Sequence, residues 1–324
     1  MKKYMLALGL SLLTVLGLFT GCSPKAETAS GSDSLKIVAT IFPEYDWARQ
    51  VLGDRAGEVQ LTLLLDSGTD LHSYQPTAAD MLTIGECDLF LYNGGESDAW
   101  VERVLATAAN PDRRTLSVME VLGDSVLEEE VVEGMQEAED HDHAEGEAHE
   151  EEADEHVWLS LRNARTACAE IARVLGELDP DHAAEYQANA ENYMAELEAL
   201  DGEYTALAEN AARRTVLVGD RFPFRYLMDD YGLEYYAAFS GCSAETEASF
   251  ETIAFLSGKT EKLALPCILT TESPQPGVAE TIRSNTASGD QTILRLDSMQ
   301  SAGTGDNYLD IMKENLEVLR QALA

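Results

Sequence analysis

From Leu35 onward, short apolar runs alternate with amphipathic stretches along almost the whole chain. LKIVATI (35–41) is apolar and partly β-branched, which predicts a buried strand stopped by Pro43. An amphipathic helix then runs through Trp47 to Leu52, and VQLTLLL (59–65) predicts a second strand. The polar turn DSGTD follows and leads to Leu71 and His72. PTAADMLTIGE reads as a helix with Pro76 near its start, and CDLFLYNGG as a strand ending in glycines. Further along, TVLVGD, LEYYAAF, PCILTTE and TILRLDSM predict strands, separated by helical FRYLMDDYGL, SFETIAFLSGKTEKL and VAETIRSNT. NYLDIMKENLEVLRQALA closes the chain as a helix. Between the two sets lies LRNARTACAEIARVLGELDP, a helix broken at Pro180. The next segment carries Tyr186, Tyr193, Leu197, Leu200, Tyr204 and Leu207 at helical spacing, and is long enough to run the length of a small protein. The expected fold class is therefore α/β. Two similar lobes, each a mostly parallel sheet flanked by helices, are joined by one long linking helix.

The ends and the middle add to this picture. MKKYMLALGLSLLTVLGLFTGC has two lysines, an apolar run and a small-residue approach to Cys22, which marks a secretory signal over 1–21. Its LFTGC ending is similar to a bacterial lipoprotein box, so lipidation at Cys22 and a polar tether over 22–34 are expected. The lobes are then expected at 35–127 and 213–324, with a closing helix over 156–180 and the linking helix over 181–212. Residues 128–155 are acidic and nearly free of apolar anchors, which predicts a mobile loop.

Charge narrows the function classes. The formal net charge is −37, and fifteen of the 59 acids lie in 128–155; removing them still leaves −22. Nucleic acid is excluded as a partner, because phosphate binding needs clustered Lys and Arg. A field of this sign attracts cations. Four of the six histidines fall at 141, 143, 149 and 156. His141, His143 and His149 sit among acids and small residues, whereas His156 leads into apolar Val-Trp-Leu and a helix. His72 falls in the loop after the second strand, at the sheet end where ligands bind in such folds. His72 and His156 are thus the first candidates for a metal site, in which zinc or manganese accepts imidazole and carboxylate together. Cys87, Cys168, Cys242 and Cys267 show no CxxC spacing, and their pairing is open. Cys242 with Cys267 is the first pair to test, with buried free thiols as the alternative.

Several motifs in order carry a family likeness. LHSYQPTAADMLTIGECDLFLYNGGESDAWV resembles the first-ligand segment of the zinc- and manganese-binding lipoproteins of ABC transporters, the ZnuA/TroA-like (cluster A-I) solute-binding family. EHVWLSLRNA resembles that family's second ligand segment, ELDPDHAAEYQANAENYMAELEALD its linking helix, and LRLDSM its stretch bearing a carboxylate ligand. The resemblance implies His72, His156 and Asp297 as ligands. It places Arg221 where a third histidine usually stands, and a guanidinium cannot bind a cation. Asp220 beside it is the substitute, against a structural role as helix cap or ion-pair partner; Glu245 and Cys242 are next. Leu71 and Glu155 stand where the family usually has prolines.

The resemblance implies a lipid-anchored, extracytoplasmic, monomeric receptor that captures Zn2+ between its lobes and hands it to an ABC permease, without catalysis. His141, His143 and His149 would give accessory capture. A manganese receptor of the same family is the alternative, and a surface adhesin or passive metal buffer is the reading from another class. A metal-dependent hydrolase would need an open coordination position and a poised base. No HExxH, GxSxG or P-loop pattern is present.

Overall fold

The computed structural model describes residues 34–66, 68–106, 109–136, 152–243, 247–272 and 277–324. Cys22, His141, His143, His149 and Glu245 lie outside them, as do the signal and nearly all of the tether.

Two sheets of four parallel strands form the frame. The first contains β1 (Lys36–Ala39), β2 (Gln60–Leu63), β3 (Leu89–Tyr92) and β4 (Arg114–Ser117) in the order β2-β1-β3-β4. The second contains β5 (Thr215–Phe222), β6 (Glu234–Ser240), β7 (Cys267–Thr270) and β8 (Thr292–Arg295) in the order β6-β5-β7-β8. The order is the same in both sheets, so β2 and β6 are equivalent strands. Central strands are buried on both faces: Leu89, Phe90 and Leu91 of β3 are fully covered. This is why such strands read as continuous apolar runs rather than alternating ones.

Around the first sheet lie α1 (Phe42–Leu52), α2 (Ala78–Glu86), α3 (Val101–Leu105), α4 (Val118–Leu122) and α5 (Leu161–Leu178). The long helix α6 (Ala183–Asn210) follows, and α7 (Arg225–Tyr231), α8 (Phe250–Lys262), α9 (Gly277–Ser284) and α10 (Tyr308–Ala322) surround the second sheet. Local chemistry sets the starts. Thr77 Oγ1 accepts from Asp80 N at 3.2 Å while Asp80 returns the bond to Thr77 N at 2.8 Å, a capping box for α2. Ser160 caps α5 by accepting from Asn163 N at 3.1 Å. Pro43 does not separate strand from helix but lies in the first turn of α1, where its missing N–H costs nothing.

Helix α6 is about 42 Å long at 1.5 Å per residue. Its stripe of Tyr186, Ala190, Tyr193, Leu197, Leu200, Tyr204 and Ala208 is buried. Packing against α1 and α5 on one side, it reaches α7 and α10 on the other. Tyr204 donates to the Met312 carbonyl of α10 at 2.6 Å. One continuous core therefore includes residues of both sheets, and a smaller core lies under α8 and α9.

The two ends of the acidic stretch are built into the fold. Glu128 pairs with Ala153 in an antiparallel bridge, and Gln136 pairs with Phe239 at the edge of β6. Tyr226 donates to the Asp154 carbonyl at 2.8 Å and accepts from Leu127 N at 3.0 Å. These anchors are supplied by an aromatic residue some seventy to a hundred positions away in sequence, and Met135 of the stretch itself is buried in the main core. All four described cysteines are free thiols; the Cys242–Cys267 pair is not formed.

Candidate metal centre

His72 follows β2 on a short helical turn, Leu71–Ser73. Asp70 starts the turn by accepting from His72 N at 3.0 Å, and Leu71 plugs into the core. His156 is reached from the other direction, at the end of the acidic stretch and just before the turn Val157–Leu159 that leads into α5. Asp154 Oδ1 accepts from His156 N at 2.8 Å. Both histidines thus stand in the same local motif, Asp-x-His, in which the aspartate fixes the histidine backbone.

Ring orientation is also fixed. The Asp154 carboxylate takes the Nδ1 hydrogen of His156 at 3.0 Å. His72 Nδ1 lies 2.9 Å from Ser97 Oγ and 3.3 Å from Glu155 Oε2. Burial pushes the Glu155 carboxyl upward, but hydrogen bonds from His72 and Ser97 outweigh it and hold it below its ordinary value. An ionised carboxylate only accepts, so each ring carries its proton on Nδ1 and presents the lone pair of Nε2. Those two Nε2 atoms face each other at 3.2 Å. His156 is fully buried and His72 nearly so. Two nitrogen lone pairs aimed at one point are the arrangement that a cation stabilises, with the carboxylates behind raising ligand basicity.

Two glycines make the close approach possible. A Cβ on Gly95, where φ is +81°, would lie 2.3 Å from Glu155 Oε1. A Cβ on Gly241 would lie 2.7 Å from His156 Cε1. Gly241 precedes Cys242 in the loop after β6, the strand equivalent to β2. One ring nitrogen of each histidine and Cys242 Sγ all lie within 4.8 Å of one another. Among the described residues this is the one group of three or more metal-ligand side chains so drawn together. Burial, and then the carboxylates of Glu129, Glu155, Asp154 and Glu152, push the free Cys242 thiol up.

The two expected acid ligands are engaged elsewhere. Asp220 sits within an irregularity in the β5–β6 register, and its Oδ2 accepts from Thr270 Oγ1 (2.9 Å), Thr271 Oγ1 (2.7 Å) and Thr271 N (3.2 Å) at the end of β7. Its other oxygen accepts from Arg221 N at 2.9 Å. Asp297 pairs with Arg295 at 2.7 Å and turns the chain by accepting from Met299 N at 2.8 Å. The structure does not bring either carboxylate into the histidine–cysteine group. Instead the loop after β8 delivers Gln300, whose Nε2 lies 3.2 Å from His156 Nε2. Met299 before it adopts a left-handed φ of 66°. Glu272 holds that loop, accepting from Ser298 N, Ser298 Oγ and Gln300 N at 2.6–3.0 Å. His182 pairs with Asp179 at the start of α6, away from the group.

Sequence reasoning passed over Asp154, Glu155, Ser97 and Gln300. The repeated Asp-x-His was the available signal for the first of these.

Asp98, next to Ser97, is buried with Oδ2 accepting from Gly94 N at 2.9 Å. Burial, and then the Glu155 charge, raise its carboxyl to about 7, even though the Gly94 N–H opposes them. The folded state holds this proton more tightly than the unfolded chain does. Its contribution to stability is full below about pH 4 and is lost, at about 1.4 kcal/mol per pH unit, as pH rises through about 7. In metal-free protein D98N keeps an acceptor for Gly94 and removes the charge. Denaturant titrations should show the variant more stable than wild type at pH 8, by up to about 4 kcal/mol, with the curves converging near pH 4. An unchanged difference across that range would refute the assignment.

Comparison with known proteins places the chain in a family. The family model described as zinc-uptake complex component A, periplasmic (ZnuA) matches residues 37–322. The zinc-binding lipoprotein AdcA of Streptococcus pneumoniae serotype 4 is 32% identical over 323 residues, covering 99% of this chain and 61% of that protein. The chain thus spans about three-fifths of the length of that relative. The high-affinity zinc uptake system protein ZnuA of Bacillus subtilis is 29% identical, with 93% of this chain and 91% of that protein covered. Among solved structures, the Zn(II)-bound ZnuA-like domain of S. pneumoniae AdcA superposes with a TM-score of 0.68 at 26% identity, over 90% of this chain and 99% of that one. The B. subtilis metal-dependent lipoprotein YcdH gives 0.71 at 26% identity, over 90% and 99%. With the family model matched from the first strand to the last helix, this chain belongs to the ZnuA family.

Proposed function

We propose that the protein is an extracytoplasmic zinc receptor, anchored as a monomer to the membrane through lipidated Cys22, that hands its cargo to an ABC permease. The observation that carries the reading is the pair of Nε2 atoms 3.2 Å apart, each ring fixed by a carboxylate, with a sulfur alongside. Imidazole and sulfur donors favour zinc, whereas manganese favours carboxylate oxygen. Asp220 and Asp297, the harder donors, are tied up by threonines and an arginine. The relatives' names, zinc-binding lipoprotein and zinc uptake protein, support the same cargo and location. His141, His143 and His149 serve as accessory capture groups on this reading.

Chelator-competition titrations of the reduced, detergent-solubilised chain test it. One tight zinc equivalent is expected, with manganese far weaker. Deleting 138–150 should leave that equivalent in place, because Asp154, Glu155 and the Glu128–Ala153 bridge all lie outside the deletion. Loss of the tight equivalent on deletion would make the protein a passive buffer. Manganese preference would overturn the cargo.

A further inference from the structure

We infer that Cys242 is the third zinc donor, bound as a thiolate, and that Arg221 has become a strut tying together the two loops that carry His72 and Cys242. This rests on the zinc reading above.

Three observations converge on the sulfur. Its position is topological: β2 and β6 are equivalent strands of two sheets with the same order, and the loops leaving them deliver His72 and Cys242. Distance agrees, since Cys242 Sγ lies within 4.8 Å of ring nitrogens of both histidines. The loop is also shaped for the approach, because only glycine at 241 lets the His156 ring come so near. Zinc accepts imidazole nitrogen and cysteine thiolate together in one site. Zinc takes the place of the thiol hydrogen, so one proton leaves to solvent as the Zn–S bond forms, and no electrons are exchanged.

Arg221 explains why no donor is needed from the end of β5. Its Nη1 bonds Asp70 Oδ2 at 2.8 Å and the Ser243 carbonyl at 3.5 Å. Asp70 in turn holds His72 N through its other oxygen. One nitrogen therefore links the residue that sets His72 to the residue that follows Cys242. A guanidinium cannot ligate a cation. It can hold two ligand loops at a fixed separation, and it balances part of the charge of the acids nearby.

Cobalt(II) substitution of the reduced full chain provides the test. The wild type should bind one cobalt with an intense near-ultraviolet sulfur-to-metal charge-transfer band and the strong visible bands of a tetrahedral site. C242S should lose the charge-transfer band and bind zinc more than about 100-fold more weakly, beyond the 10–100-fold typical of a supporting residue. C242H should also lack that band but regain zinc affinity, which separates donor loss from misfolding. R221M should keep the charge-transfer band while its visible bands weaken and zinc affinity falls about 10-fold or more. R221K should recover most of both, because a single nitrogen makes both contacts. If the wild type binds zinc tightly but its cobalt form shows no sulfur band, Cys242 is not a ligand, although the zinc reading survives. If it binds neither metal, both fail. Unchanged affinity and spectra in R221M would remove the strut.

Discussion

Replacing His156 by alanine is expected to weaken zinc binding by roughly 10²–10⁴-fold. Structural zinc sites release about 10–16 kcal/mol, so one of three donors carries roughly 3–5 kcal/mol, at 1.4 kcal/mol per tenfold. His156 is the most constrained of the three: it is fully buried, and one carboxylate oxygen holds both its backbone N–H and its Nδ1–H. The same geometry predicts a sharper result for Asp154. In D154N the side-chain amide can turn an N–H toward Nδ1, which moves the ring proton to Nε2 and blocks the lone pair meant for the metal. A loss of about 10–100-fold is expected there. Thermal shifts provide a second reading. At a thousandfold excess over Kd, zinc should stabilise the wild type by about 4 kcal/mol, and H156A should lose about 3–4 kcal/mol of that increment. An H156A protein that keeps wild-type zinc affinity would place the site elsewhere.

Legibility in the sequence followed the range of the forces involved. β3 and β5 were visible as continuous apolar runs, and α6 as a stripe of tyrosines and leucines, because burial within one element leaves a periodic trace. Residues 101–122 left none. β4 has only four residues with its first two exposed, and α3 and α4 have five each, too short for a period to show. The acidic stretch misled in a different way. Its composition describes a loop, yet Tyr226, Tyr235, Arg225 and the edge of β6 fasten its ends from the second lobe. At the site, His72 and His156 could be singled out because each borders structured sequence and lies in a segment with a family likeness, while the Asp-x-His pattern they share went unused. Which third side chain faces them could not be read. Asp220 lies near the end of β5 and Cys242 in the loop after β6, and the choice turns on Thr270 and Thr271, which occupy the carboxylate, and on Gly241, which clears space beside the ring. Those are contacts across 50–85 residues of chain.

Replacing Trp158 by alanine is expected to cost about 3–5 kcal/mol of stability, the range for deleting a buried aromatic. For a body of this size that lowers Tm by roughly 10 °C. The reason lies in what meets at this side chain. The indole N–H donates to the Ser298 carbonyl in the loop after β8 at 2.9 Å, and the Trp158 carbonyl accepts from Tyr308 of α10 at 2.6 Å. Tyr308 packs edge-on against Trp47 of α1 at 5.4 Å, and its N–H donates to buried Asp46 at 3.0 Å. The first lobe's helix layer, the closing helix and the loop bearing Gln300 are thus joined through one residue two positions from His156. The Trp158 ring also packs on the His156 ring, with centroids 5.3 Å apart. Stability and zinc affinity should therefore fall together in W158A, while W158F, which keeps the ring but drops the N–H, should lose only about 1–3 kcal/mol for the unpaired Ser298 carbonyl. Denaturant titrations with and without zinc measure both quantities at once. A large stability loss with an unchanged zinc increment would mean that Asp154 alone fixes His156. A Tm within 2 °C of wild type would mean that the joint between the lobes lies elsewhere in the core. If both quantities fall, the receptor's metal site and its interlobe packing are one cooperative unit, and zinc binding reports directly on how the lobes are held.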